Sequence, residues 1–370
     1  MLARSVRIAA ALALLCALGC SGKAATGSGG AAGSSSSGTG AGGSGGTGPV
    51  AGADADVTAF DKTPVYFTGS DNQRVVDAPV SFPATGAYQQ IMLHLALACP
   101  MGGCDVYDRF GTLGLVTKKG QDGGPDTVVE LARFITPFHV GAAWDLDVTD
   151  LRPLLTGDVT LQVFIDTWVG PGSPYGAGWL FSASFTMTGG IPSPLPVAAV
   201  PVWTPVDVTY GDPAQTIASQ VPPASITLPH ASSYTLRTFV TGHGQGNAEN
   251  CSEFCSKTHT ITAGSTPHAQ TIWRTDCATT AAPGQQGTYM YSRAGWCPGA
   301  DVKPWTIDVT ADVAGSSTAT FSYDVEAYVN TCRPDASPCT GCTLGTGCAY
   351  DGGAHTQPNY WLSTLLIAYR

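Results

Sequence analysis

Val159-Thr160-Leu161-Gln162-Val163-Phe164-Ile165 places four aliphatic residues at every second position. Asp166 then continues the other parity, after Thr160, Gln162 and Phe164. Period two sends successive side chains to opposite faces of a strand, so one face of this segment is apolar. Further on, Phe321, Tyr323, Val325, Ala327 and Val329 alternate with Ser322, Asp324, Glu326 and Tyr328. Helical periodicity is scarce, and 46 Gly and 26 Pro punctuate the chain. β-Branched and aromatic residues alternating between such breaks describe antiparallel sheets. The expectation is an all-β protein built from two β-sandwiches.

An internal echo supports two copies of one unit. Trp144-Asp-Leu-Asp-Val-Thr149 precedes a turn and the strand ending IDTWV; Trp305-Thr-Ile-Asp-Val-Thr310 precedes a Gly-Ser turn and FSYDVEAYV. Arg133 stands eleven residues before the first tryptophan and Arg293 twelve before the second. Upstream of each lies a cysteine-bearing loop, CPMGGCDVYDRF (99–110) and NAENCSEFCSKTH (247–259). Order and spacing repeated in this way read as a duplicated domain. The Pro-rich stretch Ile191–Pro201 is the expected joint.

The start of the chain reads differently. Arg4 and Arg7 precede an apolar run from Ile8 to Leu18, ending in Ala-Leu-Gly-Cys at 17–20. A basic start, a short apolar core and small residues before a cut site describe an export signal rather than a membrane span. The motif resembles a bacterial lipobox, which implies cleavage before Cys20 and a lipid on its thiol; an ordinary signal peptide is the alternative. Residues 24–48 are almost wholly Gly, Ser, Ala and Thr, a composition that acts as a flexible tether. The organisation expected is a signal over 1–19, a tether over 20–51, and folded domains over 52–192 and 193–370. A Cys-rich insertion over 331–358 lies within the second domain. Without Arg4 and Arg7, 15 basic residues face 27 acidic ones, a net charge of −12 with no basic patch, so nucleic acid is excluded as a partner. Beyond Cys16 and Cys20, ten cysteines remain, an even number that in an exported chain argues for disulfides.

The stapled loops carry the charges of interest: Asp105, Asp108 and Arg109 in the first, Glu253 in the second, with Arg293 farther on. A stiff loop can hold a carboxylate for chemistry, and it can equally be an ordinary turn with exposed charges. Asp166 and Trp168 lie two apart, an acid beside an indole, which suits sugar recognition. The seven histidines form no His-x-His pair, and no serine or cysteine sits in a nucleophile motif, so neither a serine triad nor a histidine zinc site is assembled. No metal and no cofactor is expected. For Cys332, Cys339, Cys342 and Cys348, two disulfides are expected with the pairing open, four-thiolate zinc being the alternative.

Together CDVYDRF (104–110), RFITPF (133–138), LDVTDLRPLLTG (146–157), CSEFCSKTHTI (251–261) and SRAGWCPG (292–299) resemble the peptide-N-glycosidase F family, bacterial amidases that remove N-linked glycans. The similarity runs from about Phe60 to the C-terminus. It implies two tandem antiparallel eight-stranded jelly-roll domains packed side by side, with the sugar in the cleft between them. The family's essential aspartate falls on Asp108 and its second carboxylate on Glu253. Arg109 and Arg293 match cleft arginines, Trp168 matches a tryptophan beside the sugar, and Trp296 falls with the substrate-binding set. The family's disulfides fall on Cys99–Cys104, Cys251–Cys255 and Cys277–Cys297. Two positions depart: a functional glutamate is Asp166 here, and a tryptophan is replaced by His243 in Gly242-His243-Gly244.

The resemblance implies hydrolysis of the bond between an Asn side chain and the first N-acetylglucosamine. Asp108 would activate water, Glu253 would position the sugar or relay a proton, and an arginine would stabilise developing negative charge. N-linked glycopeptides or glycoproteins are the expected partners, with a monomer held to the membrane only through its lipid. Ser21 after the lipid cysteine points, by analogy, to the outer membrane or cell surface. The alternative is a glycan-binding lipoprotein of the same fold that has lost catalysis. A copper-dependent monooxygenase of like architecture is discounted, for want of clustered histidine and methionine ligands.

Overall fold

The structure, a computed structural model, describes residues 48–122, 124–246, 251–330 and 356–370. The signal, Cys20, the tether up to residue 47 and the four cysteines from Cys332 to Cys348 lie outside the described residues.

Eight strands form the first sandwich: β1 (Ala55–Val65), β2 (Val75–Phe82), β3 (Tyr88–Ala98), β4 (Phe110–Lys118), β5 (Thr127–Ile135), β6 (Ala142–Asp147), β7 (Gly157–Ile165) and β8 (Trp179–Gly189). Eight more form the second: β9 (Pro196–Thr209), β10 (Ala224–Thr227), β11 (Ser233–His243), β12 (Lys257–Ala263), β13 (Thr266–Ile272), β14 (Trp305–Asp308), β15 (Thr318–Val325) and β16 (Asn359–Tyr369). The first pairs its sheets in the orders β1-β8-β3-β6 and β2-β7-β4-β5. The second repeats this eight strands later, as β9-β16-β11-β14 and β10-β15-β12-β13. Two four-stranded antiparallel sheets in this order make a jelly roll, and the chain makes it twice.

The alternating residues perform as their parity predicts. Leu161, Val163 and Ile165 are buried, as are Phe321, Tyr323 and Val325. Strand β15 ends at Val325, however, so Ala327 and Val329 are exposed beyond it. Strand β7 ends at Ile165, so Asp166 and Trp168 belong to the loop after it. The expected joint is shorter than the Pro-rich stretch, ending before β9, within which Pro196 and Pro201 lie. That strand is at a sheet edge, where a missing N–H costs no ladder bond, and its register shifts at both prolines.

The echo of tryptophans is structural. Asp147 accepts from the Thr149 N–H at 2.9 Å, and Asp308 from the Thr310 N–H at 2.9 Å. Thr149 Oγ1 accepts from Ile91 N, and Thr310 Oγ1 from Tyr234 N. Each motif therefore ties the end of an edge strand, β6 or β14, to its neighbour. The arginine match fails: Arg133 is inside β5, whereas Arg293 stands in the loop after β13, because the second half inserts a disulfide-closed excursion there. The two stapled loops do correspond, one joining β3 to β4 and the other β11 to β12. The same end of each sandwich thus carries a cysteine-closed carboxylate loop.

Two features join the sandwiches. Arg133, fully buried, grips Glu130 through Nε and Nη2, both at 2.7 Å, while its Nη1 donates to Thr241 Oγ1 and to the Trp361 carbonyl of the second sandwich. Ser363 of β16 completes the network by donating to Glu130. Beside it, residues 299–302 run along the edge of β5: Gly299 N donates to Ile135 O, Ile135 N to Ala300 O, and Val302 N to Arg133 O. Removing one member of a buried ion pair strands the other charge, at about 3–5 kcal/mol. Arg133→Met should lower stability by about that amount in urea unfolding, and adding Glu130→Leu should recover most of the loss. A single substitution of no effect contradicts the role assigned to the pair.

Candidate active site

Burial does not remove charge from this protein; it concentrates it at the junction. Arg293 is 1 % exposed, and its guanidinium lies between carboxylates of the two sandwiches. Its Nε donates to Glu253 Oε1 at 3.0 Å, and its Nη2 stands 3.8 Å from Asp108 Oδ2. Two backbone carbonyls fix the fork, Tyr291 O on Nη1 and Thr288 O on Nη2, with Thr288 Oγ1 at 3.2 Å. Of the five donors of a guanidinium, one on Nη1 stays open.

The stapled loops deliver the two acids. Asp108 follows the Cys99–Cys104 bridge in irregular backbone before β4. Glu253 sits inside the Cys251–Cys255 ring, and its carbonyl accepts from the Ala294 N–H at 2.9 Å, stitching this loop to that of Arg293. The Cys277–Cys297 bridge closes the excursion that bears Arg293. These three bridges are the pairings that the resemblance implies. The resulting open cleft, about 600 Å³, has Tyr107, Asp108, His139 and Tyr175 on one wall and Gln245, Glu253, Phe254, Thr288 and Arg293 on the other.

The carboxylates are electrically unequal. Burial pushes Glu253 up to about 7, the negative charge of Asp108 adds to the rise, and Arg293 opposes it. Burial also raises Asp108, against the pull of Arg293 and Arg109. The negative charge of Asp108 thus works against ionisation of Glu253, while Arg293 and Arg109 favour the charged form of Asp108. Two acids driven apart in this way are suited to separate base and acid roles.

The remaining residues of interest divide. Arg109 does not line the cleft: its Nε donates to Asp105 at 2.7 Å and its guanidinium lies over Tyr107. Asp105 is fully buried, and besides Arg109 it accepts from the Tyr107 N–H and from Thr167 Oγ1 at 2.7 Å. It pins the Asp108 loop; the only hint in sequence is a second acid directly after Cys104. Trp168, 54 % exposed, and Asp166 form a neighbouring cluster with Arg74, which reaches Asp166 at 3.3 Å and lies 4.3 Å from the indole centroid. Nothing in the residue spacing announces Arg74.

Trp296 and His243 are placed beneath the cleft rather than in it. Trp296 is 3 % exposed, donates from its indole to Gly242 O at 2.7 Å, and packs under the Arg293 guanidinium at 4.8 Å. The His243 ring stacks on Trp296 at 5.3 Å, with Phe110 edge-on at 5.5 Å, and Nε2 meets Thr241 Oγ1 at 2.9 Å. Burial, aided by Arg133 and Arg293, lowers its pKa to about 3, so the ring is neutral. Both residues brace Arg293. Neither is among the residues that line the cleft: indole and imidazole pack where β11 meets the Arg293 loop.

Glu253 binds its proton more tightly folded than unfolded, where an ordinary glutamate titrates at 4.5. Its contribution to stability is therefore complete below about pH 4.5 and is lost as pH rises through about 7. In urea unfolding across this range, the advantage of the wild-type protein over Glu253→Gln should shrink with rising pH and level off above it. A difference independent of pH contradicts the raised pKa.

Two family models match the chain: "Peptide-N-glycosidase F, N terminal" over residues 121–174 and "Peptide-N-glycosidase F, C terminal" over residues 213–341. A curated relative, peptide-N(4)-(N-acetyl-beta-D-glucosaminyl)asparagine amidase F of Elizabethkingia miricola, is 29% identical over 294 residues, covering 74% of this chain and 78% of its own. Among solved structures, PNGase F of Flavobacterium meningosepticum, described as a glycosylasparaginase, aligns with a TM-score of 0.68 at 25% identity. That alignment covers 85% of this chain and 96% of that one. A recombinant peptide:N-glycanase F gives the same score and identity over 85% and 95%. With the twofold jelly roll, three stapled loops and a carboxylate pair at the junction, these matches support the peptide-N-glycosidase F family for this chain.

Proposed function

We propose that this protein is a glycoamidase that hydrolyses the amide bond between an Asn side chain and the first N-acetylglucosamine of an N-linked glycan. The observation that carries this reading is the sharing of buried Arg293 by Asp108 and Glu253, whose different environments separate a base from an acid. Ionised Asp108 takes a proton from water as its oxygen attacks the amide carbon. The resulting oxyanion is met by the open donor on Arg293, held in place before reaction. Protonated Glu253 supplies the nitrogen as the C–N bond breaks. Glycosylamine leaves, and the asparagine has become aspartate. Water and these side chains suffice for the chemistry.

Export and anchoring through Cys20 belong to the same reading. They are supported by the apolar run before that cysteine, and the three disulfides suit an oxidising compartment. A monomer on a tether could bring the cleft to glycopeptides or glycoproteins near a membrane surface. A catalytically idle glycan binder draws support from one observation: Asp166 and exposed Trp168, an acid beside an indole, stand with Arg74 outside the cleft that holds Asp108 and Glu253.

Steady-state release of glycan from a defined N-glycopeptide separates the two. The amidase reading expects turnover, with kcat reduced about 10³-fold by Asp108→Asn, the scale of lost general-base catalysis. A wild-type protein that binds the glycopeptide without releasing glycan supports the binder.

A further inference from the structure

The duplicated fold permits a comparison of matching grooves. In the first sandwich the edge strands β5 and β6 face each other, and the space beside them is filled by residues 299–302 of the same chain. That segment adds to β5 as a short antiparallel strand and buries Ala300 and Val302. Trp144 of β6 seals it, its indole donating to Gly299 O at 3.2 Å.

The second sandwich repeats every part of this arrangement except the occupant. Its corresponding edges are β13 and β14, and Trp305 stands where Trp144 does in the repeated motif. Between them lies a groove of about 330 Å³ lined by Thr271, Trp273, Pro304 and Trp305, with Arg274 and Asp276 tied to each other at its end. Trp305 is 9 % exposed, and its indole N–H has no partner among the described residues. The backbone of β13 is turned towards this space. Thr258 spends its carbonyl on Glu326 N, on the far side of β12, so its register partner Thr271 directs its own N–H and C=O away from β12. Trp273, two residues on, shares that direction. Pro267, on the same parity, has no N–H to offer, which confines pairing to the part of the edge from Ala269 onward.

We infer that this groove is a strand-addition site for an extended polypeptide of about four residues with small apolar side chains at alternate positions. Main-chain bonds to Thr271 and Trp273 would supply affinity. The Trp305 indole would take a carbonyl as Trp144 takes Gly299 O. The occupant we assign is the unfolded polypeptide of a glycan-bearing substrate; that assignment, though not strand addition itself, rests on the amidase reading. Arg274 pairs its backbone with Arg293, so a chain held here lies against the loop that bears the catalytic arginine.

The probe is acetyl-Pro-Gly-Ala-Asp-Val-Lys-amide, a copy of Pro298–Lys303 that carries no sugar, titrated into the whole folded protein. Slowed amide exchange at Thr271 and Trp273 and a shifted Trp305 indole N–H signal are expected. Trp305→Phe should weaken binding about fivefold, one hydrogen bond's worth. Thr271→Pro, tolerable at an edge that already carries Pro267, should abolish it. No response at millimolar peptide, or responses that survive both variants, overturns the site whatever the enzyme's activity. The same signals moving with protein concentration alone would mean self-pairing, and would overturn the assigned occupant. On an unfolded glycoprotein Trp305→Phe should raise KM with kcat unchanged. Peptide binding without that rise also overturns the occupant while leaving strand addition intact.

Discussion

One guanidinium shared between two sandwiches sets the terms for this molecule. Arg293 is withdrawn from water and compensated by Glu253 on its own side and Asp108 on the other. A charge so enclosed tolerates little movement, because its partners would be left buried and unpaired. The junction must therefore be rigid, and the structure makes it so at several levels. Glu130 and Arg133 lock the sheets, residues 299–302 extend β5 across the boundary, and Trp296 and His243 pack beneath the guanidinium.

Duplication explains why the acids meet there. The loop between the third and fourth strands of each jelly roll is closed by a short disulfide ring and carries a carboxylate. Placed side by side, the two copies bring equivalent loops to one cleft, where the charge of Asp108 bears on Glu253. Their environments then diverge: Asp105 and Arg109 steady the first loop, while Arg293 bonds directly to the acid of the second. An inequality of this kind gives two carboxyl groups two roles. The divergence elsewhere is of the same type, since one edge groove received a strand from its neighbour and the other did not.

Much of this was legible in the residues. Alternation at 159–165 and 321–325 gave the sheets because a strand's period is two, and the repeated Trp-x-x-Asp-Val-Thr motif marks the same corner in each half. The stapled loops drew attention to Asp108 and Glu253 for a sound reason, as stiffness is useful where a carboxylate must be held. Spacing could not tell exposed from buried, however. Trp296 and His243 look like ligands for a sugar and serve as packing, while Asp166 and Trp168 lie beyond the strand that their alternation suggested. Arg74 and Arg133 are brought to their partners by pairing between distant strands, or between sandwiches, which no local pattern encodes. Arg293 could be named from its motif, but its two carboxylates belong to different halves and only the packed junction unites them.

The central claim is that water adds to the amide carbon of the asparagine, and the fate of the water oxygen tests it most directly. A defined N-glycopeptide would be incubated with the protein in heavy-oxygen water and both products weighed by mass spectrometry. The account predicts one heavy oxygen in the new aspartate side chain and none in the sugar at early times. Heavy oxygen on the released glycan, with N-acetylglucosamine still on the asparagine, would mean glycosidic cleavage instead and would contradict the account.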